Sequence, residues 1–297
     1  MILVVGATGS LGGRITRGLL AQGKSVRFLD RRNPISLELA RQGRANTAES
    51  LITAGAQPVH GDLKDRASLD AAVKGVDAII TTATATQRGG EDTVPAVDLQ
   101  GTLDLIEAAR AAGVRQFIYT SAYGSTPDNP IPLFQIKGTC EAALERSGMT
   151  YTILRPGVFM EVWIGAVVGA PLMAGQPVTL IGAGDHRHNF VSEADVAAFA
   201  IAAVGAPRAA NRRIDLGGPA SHTWTEIVDA VGRAMGAPLP VNYLPLGSDV
   251  PLLLGPVGNM LNSMEMFEAF IDMSETAPAF GIELTPLAEF ARRAFAG

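Results

Sequence analysis

The first 156 residues predict an α/β fold, a doubly wound parallel sheet, and three observations carry that prediction. Short apolar, β-branched runs recur along them. Segments with apolar residues at helical spacing separate these runs, and the first run, Ile2–Val5, leads into a glycine-punctuated turn. Strands that alternate with helices pair in parallel, and right-handed crossovers place helices on both faces of the sheet.

Taken in order, Ile2–Val5 is a strand, Gly13–Gln22 a helix with Ile15, Leu19 and Leu20 at helical spacing, and Ser25–Leu29 a second strand. Further strands are expected over Gln57–His60, Ala78–Thr82, Phe117–Thr120 and Thr150–Leu154, and helices over Ala67–Val73, Val97–Ala112 and Lys137–Arg146. After Arg155-Pro156-Gly157 the alternation stops. Gly/Pro-rich connections separate helices expected over Glu193–Val204, Thr225–Met235 and Pro286–Phe295. The expected organisation is a sheet domain over 1–156 and a smaller C-terminal substrate lobe over 157–297, partly interleaved with it.

Composition excludes several functions. With 297 residues, 47% hydrophobic and 18% charged, the chain can bury a large core, which rules out disorder as its main state. A net charge of −5 gives no broad basic surface, so neither nucleic acid nor an anionic membrane is the expected partner. The single cysteine, Cys140, excludes an intramolecular disulfide and fits a reducing, cytoplasmic setting. Met1-Ile-Leu-Val-Val-Gly6 lacks the charged n-region of a secretory signal, and it is expected to be the first strand. The uncharged stretch Val162–Gly184 has the length of a membrane span, but Gly165, Gly169, Pro171, Gly175, Pro177 and Gly182 interrupt it.

The chemistry starts at Gly6-Ala7-Thr8-Gly9-Ser10-Leu11-Gly12, between the first strand and the first helix. Glycines at this spacing allow a tight turn and close approach of a pyrophosphate, while the helix amino terminus offers unpaired N–H donors. Thr8 and Ser10 add hydroxyls. A glycine triplet alone is a weak signal, but this one opens a βαβ unit and is followed about 20 positions on by an acidic residue, as dinucleotide sites require. That residue is Asp30, suited to ribose hydroxyls and hence NAD. Arg31 and Arg32 follow it and suit a 2′-phosphate and hence NADP, so the preference stays open. After the third strand, Asp62 is placed to accept from an adenine amino group, with Leu63 against the ring, or else to cap the next helix.

These segments, with Phe117-Ile-Tyr-Thr-Ser-Ala122, Lys137 with Glu141, and Ser147-Gly-Met-Thr-Tyr-Thr-Ile-Leu-Arg-Pro-Gly157 followed by Phe159-Met160, resemble the atypical short-chain dehydrogenase/reductases. The NmrA-like and quinone-reductase-like proteins are the most similar group. The resemblance continues through Asn189-Phe190-Val191 to Asp195-Val196-Ala197. It implies a Rossmann-type domain that binds NAD(P)H. Thr82, Ala83 and Thr84 would line the dinucleotide, Ser121 would face the active site, Lys137 would contact the nicotinamide ribose, and Pro156, Gly157, Val158 and Phe159 would border the nicotinamide.

One departure stands out. Many short-chain dehydrogenases carry a tyrosine proton donor four residues before the lysine, where this chain has Leu133. Tyr123 is the substitute donor in sequence, and Tyr119 is expected to pack within its strand. Asp185-His186-Arg187-His188 lacks an obvious third ligand, so no metal is expected. Cys140 is expected to be a packed side chain rather than a nucleophile. Phe159, Met160, Val162, Trp163 and Ile164 form pocket wall or core in equal measure. Met260, Met264, Met266, Phe267 and Phe270 suit a pocket wall or a subunit interface, which makes a homo-oligomer one of the expected states. The leading expectation is an NAD(P)H-dependent reductase of a small apolar acceptor, with catalytic roles for Lys137, Ser121 and Tyr123. The alternative is a dinucleotide-binding regulator or assembly factor without turnover.

Overall fold

The computed structural model describes residues 1–31, 46–86, 90–253 and 256–296; Arg32 lies outside them. The chain divides into two compact units, Met1–Arg155 with Val196–Asp215, and Pro156–Asp195 with Leu216–Gly297.

The first unit is built on strands β1 (Ile2–Val5), β2 (Val26–Asp30), β3 (Gln57–His60), β4 (Ala78–Thr81), β5 (Gln116–Thr120) and β6 (Thr150–Pro156). β1 pairs in parallel with β2 and β4, β2 with β3, β4 with β5, and β5 with β6. With the later strand Arg212–Leu216 beside β6, the order is Arg212–Leu216, β6, β5, β4, β1, β2, β3, seven strands among the described residues. The strand order reverses between β1 and β4, the position at which doubly wound sheets open a crevice outside their carboxyl ends. Helices α1 (Ser10–Ala21), α2 (Ala48–Thr53), α3 (Arg66–Ala72), α4 (Thr102–Ala111) and α5 (Pro132–Glu145) connect the strands. Leu69, Leu105, Ile106 and Leu144 from these helices bury against Leu3, Ile79, Phe117 and Ile153 of the sheet. Each buried aliphatic or aromatic side chain contributes roughly 1.5–3 kcal/mol of transfer free energy.

Two helix starts differ from the sequence expectation for identifiable reasons. α1 begins at Ser10 rather than Gly13, because Gly9 is its N-cap and Gly12 and Gly13 lie inside it. Glycine is a poor helix former, so a propensity reading begins the helix after them. α5 begins at Pro132 rather than Lys137, with proline in the first turn, where its missing N–H costs nothing. Lys137 and Glu141 are therefore interior residues one turn apart. A π-helical turn over Pro95–Gly101 precedes α4, and nothing in the residue pattern marks its wider geometry.

The second unit holds β7 (Val158–Phe159), β8 (Val178–Ile181) and β9 (His188–Val191), with the three-stranded order Ser221–His222, β9, β7 and a separate parallel pair of β8 with Val241–Leu244. Its helices are α6 (Met160–Ile164), α7 (Ala170–Met173), α8 (Glu193–Ala202, which runs into the first unit), α9 (Trp224–Met235), α10 (Pro256–Met264), α11 (Thr276–Phe280) and α12 (Leu287–Phe295). α9 starts on a capping box between Thr223 and Glu226 and stops at left-handed Gly236. Phe190 and Trp224 meet edge to face at 5.3 Å in the core. Met160 and Ile164 belong to that core, whereas Phe159, Val162 and Trp163 are half-buried. The uncharged stretch becomes α6, a π turn over Gly165–Gly169, α7 and β8. Among the described residues no helix is long and apolar enough to cross a membrane.

Candidate functional site

The glycine loop is shaped by close backbone packing. Gly6 has φ +92°, and a Cβ there would lie 2.7 Å from Thr82 Oγ1 and 3.0 Å from the Ala83 nitrogen. A Cβ on Gly12 would lie 2.2 Å from the Gly6 carbonyl oxygen. Neither position has space for a side chain, and the loop lies directly against the segment after β4, where Thr82, Ala83 and Thr84 are half-buried. Gly9 caps α1 without a side-chain hydrogen bond, and no acidic residue occupies the first turn. The helix start, with Ser10 exposed, Leu11 half-buried and Thr8 just before it, thus presents main-chain donors and the positive end of the helix dipole. This cradle fits a pyrophosphate. Asn46 braces it: its N–H donates to the Thr8 carbonyl at 2.8 Å, its Nδ2 to the Gly9 carbonyl at 3.1 Å, and Arg17 Nη2 donates to its Oδ1 at 3.0 Å. No signal in the residue pattern points to Asn46.

At the end of β2, His60 Nδ1 lies 3.0 Å from the Asp30 carbonyl. Arg31 Nη1 donates to Asp92 Oδ2 at 2.8 Å, and it lies 3.8 Å from Asp62. Lys64 Nζ holds the other Asp92 oxygen at 2.9 Å. Burial pushes the Asp92 carboxyl up, but hydrogen bonds from Lys64 and Arg31 outweigh it and hold its pKa below the usual carboxylate value. Arg31 Nη2 is buried and finds no hydrogen-bond partner among the described residues. Asp62 accepts from the Lys64 N–H at 2.9 Å, closing a turn. Leu63 is a core residue, and a Cβ on Gly101 would lie 2.7 Å from Leu63 Cβ.

Lys137, on α5, reaches the carboxyl end of β5 with its amine. Its side chain is 9% exposed, with Nζ 3.4 Å from the Thr120 carbonyl, 4.0 Å from Asp98 Oδ1 and 5.5 Å from the centre of the Tyr119 ring. Burial lowers its pKa, and the neighbouring Asp98 only partly opposes that. Asp98 comes from the π turn, where its Oδ2 accepts from the Ala85 N–H at 2.8 Å. Among the described residues, Asp98 Oδ1 and Thr120 Oγ1 are buried without hydrogen-bond partners, and the buried Tyr119 hydroxyl faces the Cys140 thiol. Such a cluster of unsatisfied polar atoms around one amine is unusual in a plain core, and it suits the hydroxyls of a bound ribose.

Ser121 has a different setting. Its hydroxyl donates to Glu141 Oε1 at 2.5 Å, and Arg155 grips the same buried carboxylate through Nε at 2.9 and 3.1 Å and through Nη2. Arg213 Nε lies 3.4 Å from it. Tyr123 is half-exposed. Cys140 is fully buried, with Sγ donating to the Asp98 carbonyl at 3.3 Å, and burial pushes its thiol up to about 12. At neutral pH it is not a nucleophile. Burial and the adjacent Cys140 push the Tyr119 phenol well above its ordinary value.

Pro156, Gly157, Val158 and Phe159 belong to the second unit. There the Gly157 N–H donates to the Leu216 carbonyl at 2.9 Å, and Val158 and Phe159 pair with Phe190 and Val191. Of the run Asp185-His186-Arg187-His188, Arg187 pairs with Glu226, and buried His188 binds the Met264 carbonyl through Nε2 at 2.8 Å. Asp185 and His186 meet Glu265, from the turn after α10, a third acidic or imidazole group that the sequence did not reveal.

The profile of the NmrA-like family matches residues 1–292. The chain belongs to the NmrA-like family. Within 98% of its length it is 28% identical to an NAD(P)H azoreductase from Xenophilus azovorans, covering 97% of that protein. Over 82% of its length it is 32% identical to photosystem II assembly factor Ycf39 of Cyanophora paradoxa, covering 72% of it. The structure of the NADPH-dependent quinone oxidoreductase of Escherichia coli complexed with NADPH superposes with a TM-score of 0.78 at 24% identity, over 99% of this chain and 100% of the other. At that identity the likeness is one of fold.

Proposed function

We propose that this chain is an NAD(P)H-dependent oxidoreductase that reduces a small apolar acceptor, a quinone or a conjugated carbonyl. The observation that carries the reading is the cradle of Gly6, Gly9 and Gly12 at the switch point between β1 and β4, where added Cβ atoms at Gly6 and Gly12 would collide with the loop's own backbone or with Thr82. When bound, a reduced nicotinamide supplies the hydride. The main-chain donors at the start of α1 bind the pyrophosphate, Thr82 to Thr84 line its path, and Arg31 with its unsatisfied Nη2 supports a 2′-phosphate. Pro156 to Phe159 are assigned to the nicotinamide border, as the family resemblance implies.

Lys137 is the group proposed to handle the proton. Its burial makes the ammonium a stronger acid than a free lysine, so Nζ can hold and release the proton that accompanies a two-electron reduction. Tyr123, half-exposed, is a second proton source. Ser121, whose hydroxyl is committed to Glu141, acts by holding the end of β5. Leu133 supplies no phenol, so the proposed chemistry does not rely on the tyrosine of ordinary short-chain dehydrogenases.

The test is NADPH and NADH oxidation against a panel of quinones and enones. Turnover with at least one acceptor that is lost in Gly12→Val supports the proposal. Tight cofactor binding without turnover of any acceptor would overturn it. Leu133 and the similarity to Ycf39 would then favour the second reading, an assembly factor or redox sensor whose protein contacts depend on the bound dinucleotide.

A further inference from the structure

We propose a divalent transition-metal site, of the zinc class, formed by Asp185, His186 and Glu265 in the second unit. Three donor atoms converge there. His186 Nδ1 lies 3.6 Å from Asp185 Oδ1 and 3.5 Å from Glu265 Oε2, and all three ligand atoms lie within 4.8 Å of one another. The first separation is too long for a hydrogen bond, and the second lies at the outer limit of one. They match a shared cation, because donors held 2.0–2.1 Å from a tetrahedral zinc ion are about 3.3–3.4 Å from each other.

A second, independent observation points to a ligand. The Glu265 side chain is 4% exposed, and burial raises its pKa although the Gly184 N–H and the facing His186 partly offset this; among the described residues its Oε1 has no hydrogen-bond partner. A buried carboxylate is normally satisfied by a cation or by donors. Glu141 shows the usual solution in the first unit, with Arg155 and Ser121 bound to it. Among the described residues neither lysine nor arginine reaches Glu265, and the imidazole facing it is a metal ligand by chemistry.

The backbone is arranged to present the donors. Gly182 and Gly184, both with positive φ, turn the chain after β8 so that Asp185 and His186 face Glu265, and a Cβ on Gly182 would lie 3.0 Å from Glu265 Oε2. The other side opens into a shallow surface depression of about 440 Å³ lined by Asp185, His186, Phe267 and Glu268. The site therefore has three protein ligands and an accessible fourth position, which water or a substrate oxygen would fill. Carboxylate and imidazole donors without thiolate select zinc, cobalt, nickel or manganese over copper(I).

The experiment uses the full-length, tag-free, chelator-treated protein, titrated with zinc chloride by calorimetry and with cobalt(II) by visible absorption. One zinc per chain and a tetrahedral cobalt spectrum are expected. Glu265→Gln and His186→Ala should each weaken binding at least about tenfold, the lower range for losing even an outer-shell partner. His222→Ala, at a histidine that pairs with Glu226 elsewhere, should leave it unchanged. Circular dichroism establishes that each variant is folded; half-exposed His186 decides the matter if Glu265→Gln is not. Absence of saturable one-to-one binding, or undiminished binding in the folded variants, overturns the site.

Discussion

Lys137 and Glu141 stand one turn apart on α5, and their surroundings are opposites. Glu141 is fully buried and fully answered: Arg155 grips both oxygens and Ser121 adds a hydrogen bond. Lys137 is almost as buried, but its nearest carboxylate among the described residues is 4.0 Å away, and two buried polar atoms beside it, Asp98 Oδ1 and Thr120 Oγ1, lack partners there. A buried charge with every bond satisfied holds structure together. One left short of partners stores interaction capacity for something that arrives later. The difference separates an architectural position from a chemical one within a single helix.

The sharpest way to break the comparison is Glu141→Ala. Removing one partner of a buried ion pair leaves Arg155 uncompensated and should cost about 3–5 kcal/mol, read as a lower urea midpoint. Lys137→Met should act on rate instead, lowering kcat for acceptor reduction by about 10²–10⁴-fold if Nζ transfers the proton. The sign of its pH dependence follows from burial. A lowered pKa means the ammonium donor is lost at a pH below the ordinary lysine value, so kcat falls as pH rises through it, and that alkaline limb is absent in Lys137→Met. Ser121→Ala removes one hydrogen bond to a charged group and should cost about 1.5–3 kcal/mol of stability, measured by the same unfolding curve. Arg31→Ala is the smallest effect. Because Asp92 already occupies one face of the guanidinium, NADPH affinity should fall only about tenfold relative to NADH, roughly 1.4 kcal/mol. An unchanged ratio would remove Arg31 from the cofactor site.

Most of the first unit was legible in the sequence, because the inner strands of a parallel sheet are apolar runs and glycine or charged residues bound them; β3, Gln57–His60 at the sheet edge, is largely exposed and was marked by its flanking glycines instead. The glycine loop was legible for the same local reason: its constraint is steric and acts within seven residues. The partners of those residues were not. Asn46 braces the loop and Asp92 holds Arg31 through contacts that join distant parts of the chain. Glu265 reaches His186 only because two glycine turns reorient the loop after β8. Ser121 could be placed at a strand end, but whether its hydroxyl is committed depends on Glu141 and Arg155 arriving from other elements. Helix α2 is short, and its single buried apolar residue, Leu51, leaves no periodic signal.

The π-helical turn over Pro95–Gly101 has a consequence for how this chain tolerates insertion and deletion. Each helical residue advances the backbone by about 100°, and a π turn carries one residue more than regular α geometry accommodates. Deleting a single residue upstream of Asp98 in this turn would permit an ordinary helix and rotate that carboxylate away from Lys137 and the Ala85 N–H, while the apolar composition of the segment hardly changed. The position of one buried charge thus depends on an extra residue, and chain length here is as specific a determinant as side-chain identity.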